Sequence, residues 1–116
     1  TQWAYLIDHD PKILRWTGIR KMNTDTGESV GEWSDDHDHC WYSEPWFAPA
    51  DNQASEDHGY VIAFCWNDKT RVQQLQIFDA QKVSDGPVTR IQLPRRIPPG
   101  FHACWMKPKQ IENWER

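Results

Sequence analysis

The stretch Leu93-Pro94-Arg95-Arg96-Ile97-Pro98-Pro99-Gly100-Phe101-His102 limits what this chain can fold into more than any other part of it. Each proline fixes φ and removes a backbone donor, so Pro94 ends the strand before it and Pro98-Pro99-Gly100 is excluded from a central sheet ladder. The stretch therefore reads as a stiff turn that delivers His102 to the start of an apolar run, residues 101–106, expected to be a strand. Rigid delivery is what a metal ligand needs, because a coordinating group is held to a fraction of an ångström by its support. The alternative is a core histidine held by hydrogen bonds, as buried polar groups are.

The remaining sequence is a series of short extended segments and turns. Residues 3–7 and 13–16 read as two strands with His9-Asp10-Pro11 as the break between them, which puts His9 in a turn. Residues 19–22 and 29–33 form a hairpin around Asn23-Thr24-Asp25-Thr26-Gly27-Glu28, rich in residues that favour turns. Asp35-Asp36-His37-Asp38-His39 is polar without periodicity and reads as a solvated loop. Residues 41–47 are extended, with Glu44 pushed to β or polyproline geometry by Pro45, and residues 48–57 are loop. Residues 60–66 are nearly all apolar, Asn67-Asp68-Lys69-Thr70 is a turn, and residues 72–78 alternate through Leu75 and Ile77. The first of these strands is expected to be buried on both faces and the second half-exposed. One helical turn over 80–85 precedes a third strand at 88–93, with Thr89, Ile91 and Leu93 on one side, and a polar tail carries another turn at 110–114. The fold class is all-β, an antiparallel meander.

At 116 residues the chain is long enough to bury a core of its own. Yet it begins at Thr1 with a strand following at once, and is expected to be a piece of something longer. The net charge of −4 argues against a nucleic-acid partner, and Arg95-Arg96 is too short to reverse that. No apolar run reaches the roughly 18 residues of a membrane-crossing helix, and the N-terminal residues lack the pattern of a signal peptide. Cys40, Cys65 and Cys104 make an odd count without paired spacing, which predicts no disulfide and a reducing, cytoplasmic location. The eight tryptophans are expected to fill a β core or cover a sheet face.

Several motifs follow in order: Ser43-Glu44-Pro45-Trp46-Phe47, Glu56-Asp57-His58-Gly59-Tyr60, Ile77-Phe78-Asp79-Ala80, Gly86-Pro87-Val88, and Leu93-Pro94 through Phe101-His102. Their order and spacing resemble the C-terminal part of the carotenoid cleavage oxygenase family, which includes apocarotenoid and lignostilbene dioxygenases; a weaker likeness runs back to about Leu14. The resemblance implies that residues 1–116 are the C-terminal portion of one seven-bladed β-propeller domain. It also implies one non-haem Fe(II), Fe(2+), held by four histidines, of which His102 matches the last and the other three lie upstream. Four neutral imidazoles suit Fe(II) but leave its charge uncompensated. Glu44, in Ser-Glu-Pro, matches a glutamate that accepts the N–H of a ligand imidazole and so fixes its tautomer and orientation.

The activity implied is oxidative cleavage of a carbon–carbon double bond in a carotenoid, apocarotenoid or stilbene-like substrate, with O2 supplying the oxygen of two carbonyl products and no organic cofactor. The partners implied are an apolar alkene and O2; many members draw substrate from membranes, so peripheral membrane contact of the whole protein belongs to the same expectation. The chain alone, with one ligand of four, is expected to be inactive. His58 stands where members usually carry an acid, and Ala103 where glycine is common. Phe101 and Trp105 are candidate apolar walls for the substrate, or equally blade core.

Two readings compete. A Trp-rich all-β binding module would cluster its tryptophans, whereas these are scattered over many elements. A metal site built on His37, His39 and Cys40 meets the difficulty that side chains two apart on a strand share a side while neighbours diverge, so the run cannot converge without a special loop.

Overall fold

The computed structural model describes residues 1–100 and 102–114, the side chains of Asn113 and Trp114 excepted. The N-terminal sheet contains β1 (Trp3–Asp10), β2 (Arg15–Asn23) and β3 (Ser29–Trp33), antiparallel in that order. Residues 13–16 are not a separate strand. Leu14 adopts φ +50° in the turn after β1, and β2 then runs unbroken from Arg15 through the expected hairpin. His9 lies within β1, at a register shift after Asp8, and not in a turn. The hairpin between β2 and β3 closes through Asn23, whose side chain accepts from the amides of Asp25 and Thr26, with Gly27 at φ +73°.

The second sheet comprises β4 (Cys40–Tyr42), β5 (Trp46–Pro49), β6 (Gly59–Asn67), β7 (Val72–Asp79) and β8 (Pro87–Gln92). β6 pairs with β7 along its whole length, β8 follows β7, and β4 and β5 lie in succession along the other side of β6. A single 3-10 turn at Val83–Asp85 precedes β8, and a short helix α1 (Pro108–Trp114) closes the described chain. Residues 102–107 have no regular structure, so no strand runs there, and Phe101 lies outside the described residues.

The core lies where the two sheets meet. Ile19 of β2 and Tyr5 of β1 pack with Cys40, Tyr42, Val61, Ala63, Cys65, Phe78, Ala80 and Val83, and Tyr5 stacks on Phe47 at 5.7 Å. Alternation assigns Val61, Ala63 and Cys65 to the inner face of β6, and pairing places Phe78, Gln76 and Gln74 beside them. The inner face of β7 is thus Val72, two glutamines and a phenylalanine, with Gln76 and Phe78 both 0% exposed, while Leu75 and Ile77 are only half-buried on the outer face. Gln76 is tolerated there because its amide is bonded to Tyr42 Oη, Asp35 and Gln74. Thr89 and Ile91 share the outer face with Ile77 and Leu75. No described tryptophan side chain is fully buried; Trp3, Trp41 and Trp66 lie under the cations of Lys21, Arg15 and Arg96, on sheet faces and not in the core.

One ion pair ties the first sheet to the loop before β6. Lys21 Nζ, nearly buried, lies 2.7 Å from Asp57 Oδ2. Burial would raise the Asp57 carboxyl, but bonds from Lys21, Ser55 and Gln81 hold it down to about 2. A depressed carboxyl stabilises the fold above its unfolded value of about 4, and that contribution disappears as pH falls through about 2. Chemical denaturation from about pH 5 to about pH 2 should therefore show a loss of stability that Asp57→Asn lacks.

Candidate functional site

Glu44 owes its position to an interruption in the sheet. Tyr42 pairs with Cys65 and Trp46 with Ile62, so three residues, Ser43, Glu44 and Pro45, stand opposite two, Phe64 and Ala63. One extra residue opposite an unbroken strand is a β-bulge, a device that redirects a side chain. Pro45 has no N–H to give the ladder, and the ladder is kept by Ser43 instead: its amide donates to Phe64 O at 2.9 Å, and Phe64 N donates to Ser43 Oγ at 2.9 Å. The extra residue also inverts the alternation, so Tyr42 and Phe47 both reach the core although they are five positions apart.

His102 meets Glu44 at this bulge. Its Nδ1 lies 2.9 Å from Glu44 Oε2, a contact between residues 58 positions apart. A carboxylate only accepts, so Nδ1 carries a proton, and in the neutral imidazole Nε2 is then the nitrogen with the lone pair. The imidazole is 87% exposed and Glu44 37% exposed. His102 is therefore not the core histidine of the alternative reading, nor is it seated in a strand. The structure brings together the two residues singled out in the sequence, and Trp105, three positions on, is half-exposed.

The polar run before β4 does not converge. His37 Nε2 is 3.7 Å from Asp10, His39 Nδ1 is 3.0 Å from Asp68, and Cys40 turns into the core. His58 Nδ1 accepts from the Ala54 amide at 3.0 Å, within its own loop.

Sequence reasoning missed a different cluster, in which Asp35, Cys40 and Cys65 bring a carboxylate and two thiols within 4.8 Å of one another. Contact with Cys40 and burial push the Cys65 thiol up, the same Cys65 contact lowers Cys40, and burial raises Tyr42 beside them. Burial opposes ionisation of Asp35, but Arg90 and Gln76 hold its carboxyl below the usual range. Asp35 Oδ1 accepts from Trp33 Nε1 at 3.2 Å and Arg90 Nη2 at 2.7 Å, and Oδ2 accepts from Gln76 Nε2 at 2.7 Å and from Arg90 Nη1. All of its roughly four acceptor positions are filled by protein donors. The cluster is a knot tying the loop to the sheet, and only the spacing of β4 against β6, invisible in one sequence, would have revealed it.

The 9-cis-epoxycarotenoid dioxygenase NCED2, chloroplastic, of Oryza sativa subsp. japonica is 33% identical over 106 residues, 87% of this chain and 18% of that protein. The lignostilbene dioxygenase of Pseudomonas brassicacearum shares the fold with a TM-score of 0.79 at 24% identity, over 91% of this chain and 24% of its own. Cobalt-substituted apocarotenoid oxygenase of Synechocystis shares it with a TM-score of 0.77 at 21% identity, over 88% and 21%. The chain thus spans about a fifth of the length of these relatives. The family model for retinal pigment epithelial membrane protein, RPE65, matches residues 1–107, and on that match this all-β chain belongs to the family of carotenoid cleavage oxygenases.

Proposed function

We propose that residues 1–116 are the C-terminal part of a non-haem iron(II) dioxygenase, a seven-bladed β-propeller that cleaves a carbon–carbon double bond of a carotenoid, apocarotenoid or stilbene-like substrate into two carbonyl products. The observation that carries this is the His102–Glu44 contact, in which an exposed imidazole turns Nδ1 to a carboxylate and leaves Nε2 without a partner among the described residues. A neutral imidazole with its second nitrogen bonded to a carboxylate is the form in which histidine binds a metal, and imidazole suits Fe(II). His102 would hold the ion together with ligands supplied by the rest of the longer protein. Iron(II), when bound, supplies the redox chemistry with dioxygen that the side chains cannot.

The work of this chain is positional. Glu44 fixes the His102 tautomer, turns Nε2 outward, and brings a negative charge near a site whose ligands are neutral. The outer face of the second sheet, with half-buried Phe64, Leu75 and Ile77, offers an apolar surface on the same domain, in keeping with an apolar alkene. Contact with a membrane surface in the whole protein belongs to the same reading. A binding module has less support: Trp3 lies on the other sheet, and Trp41 and Trp66, although opposite each other on β4 and β6, each lie under a cation that covers the ring.

In the longer protein, Glu44→Gln should weaken iron retention or turnover by roughly 10- to 100-fold while the fold survives. Metal analysis and oxygen-dependent cleavage on one preparation check it, and full iron with full rate would overturn the role given to Glu44. Replacing His37 and His39 together by alanine should leave iron content unchanged within error, because each engages a separate carboxylate. Loss of metal there would move the site to the loop before β4.

A further inference from the structure

The segment that leads to His102 is held by a cross-strand pair that no functional reading has yet used. Trp66 of β6 faces Gln73 of β7. The Leu93 amide donates to Gln73 O at 2.8 Å, the Ile97 amide donates to Gln73 Oε1, and the Arg96 guanidinium lies 4.4 Å above the Trp66 ring. Gln73 is buried although its neighbours at the end of β8 are exposed. Its side-chain oxygen is therefore committed to this one backbone contact.

Glu44 has the same reference point. Its bulge is bonded through Ser43 to Phe64, two positions before Trp66 on the same strand and the same face. The two anchor points lie about 7 Å apart along β6, at roughly 3.3 Å per residue. A rigid strand thus sets the separation between the carboxylate and the start of the prolines that lead to the imidazole.

We propose that Gln73 and the Trp66–Arg96 stack are positioning residues for His102: they clamp residues 93–97 onto the sheet, so that the Pro98-Pro99 segment presents the imidazole to Glu44. The inference extends the reading of His102 as an iron ligand. Without the clamp, the free segment before His102 grows from five residues, counted from Ile97, to ten, counted from the end of β8. Doubling a loop lowers the population of a contact at its end by about threefold, and loss of the Gln73 hydrogen bond adds to that.

The test uses nitrogen NMR of the His102 imidazole in the metal-free 116-residue chain, which reports the fraction of ring protonated on Nδ1. Gln73→Met keeps the volume and removes the acceptor, and should reduce that fraction relative to the Nε2–H form, the reduction approaching about threefold when Arg96→Ala is added. Arg96→Ala should act in the same direction, and Arg96→Lys, which retains a cation over the ring, should restore part of the effect. Arg96 is exposed, so its variants decide the matter even where Gln73→Met disturbs folding. An unchanged tautomer ratio in both Gln73→Met and Arg96→Ala would overturn the clamp. If the ratio shifts as expected but Glu44→Gln and His102→Ala leave iron in the longer protein untouched, the clamp stands and the iron reading falls.

Discussion

His102→Ala in the longer protein that carries this chain should strip the iron or leave it bound far more weakly, and reduce alkene cleavage to background, with little change in melting temperature. The imidazole is 87% exposed and its one hydrogen-bond partner among the described residues is Glu44, itself partly in water. Removing it costs one exposed charge-assisted contact, worth about 0 to 1 kcal/mol, against removal of one of the four ligands that the oxygenase reading assigns to the iron. A histidine held in the core would reverse the pattern, lowering stability by about 1 to 3 kcal/mol through unsatisfied partners while iron stayed in place. Iron content, oxygen-dependent cleavage and melting temperature on one preparation separate these outcomes. Full iron with a lowered melting temperature would refute the oxygenase reading.

Phe78→Ala should be the most damaging single change to the fold, costing about 3 to 5 kcal/mol. Its ring is 0% exposed where the two sheets meet, among Val61, Ala63, Cys65 and Tyr42, and no solvent-facing neighbour can move in to fill the space. Domains of this size have about 5 to 15 kcal/mol of stability in all, so the variant should sit close to its unfolding midpoint at ambient temperature. Leu75→Ala, on the half-buried outer face of the same strand, should cost less than half as much. Urea denaturation of the two variants tests the assignment of faces on β7, and equal losses would show it to be wrong.

Much of the second sheet was legible because apolar runs and turn residues agree there. Residues 60–66 and 72–78, joined by Asn67-Asp68-Lys69-Thr70, became β6 and β7 close to their expected limits, with Asn67 Oδ1 accepting from the amides of Lys69 and Thr70 in the turn. The inner face of β7 was not legible. Gln74 and Gln76 read as solvent-facing until their partners are known, and those partners, Tyr42, Asp35 and Arg90, come from three distant segments. In the first sheet, the apolar residues Ile13 and Leu14 suggested a strand where the backbone turns at a positive φ, and nothing in a leucine announces that conformation. The apolar run after Phe101 likewise suggested a strand that does not form among the described residues, because periodicity reports which residues seek burial, not whether a partner strand is at hand. Of the candidate site, Glu44 and His102 were placed by motif and not by pattern. The bulge that brings the first to the second follows from Pro45 only once the register on β6 is known.

That bulge gives the sheet an asymmetry of purpose. Deleting one residue from Ser43-Glu44-Pro45 would make the two short strands into one continuous edge, and as a piece of architecture the result would be more regular. Phe47 would keep its stack on Tyr5, because Tyr42 and Phe47 would then stand four positions apart and share a face by ordinary alternation. The irregular residue thus serves the position of Glu44 and not the packing of the core. A chain that loses the glutamate by substitution and one that loses the position by deletion therefore keep the same core, and nothing in the packing protects this site from being tidied away.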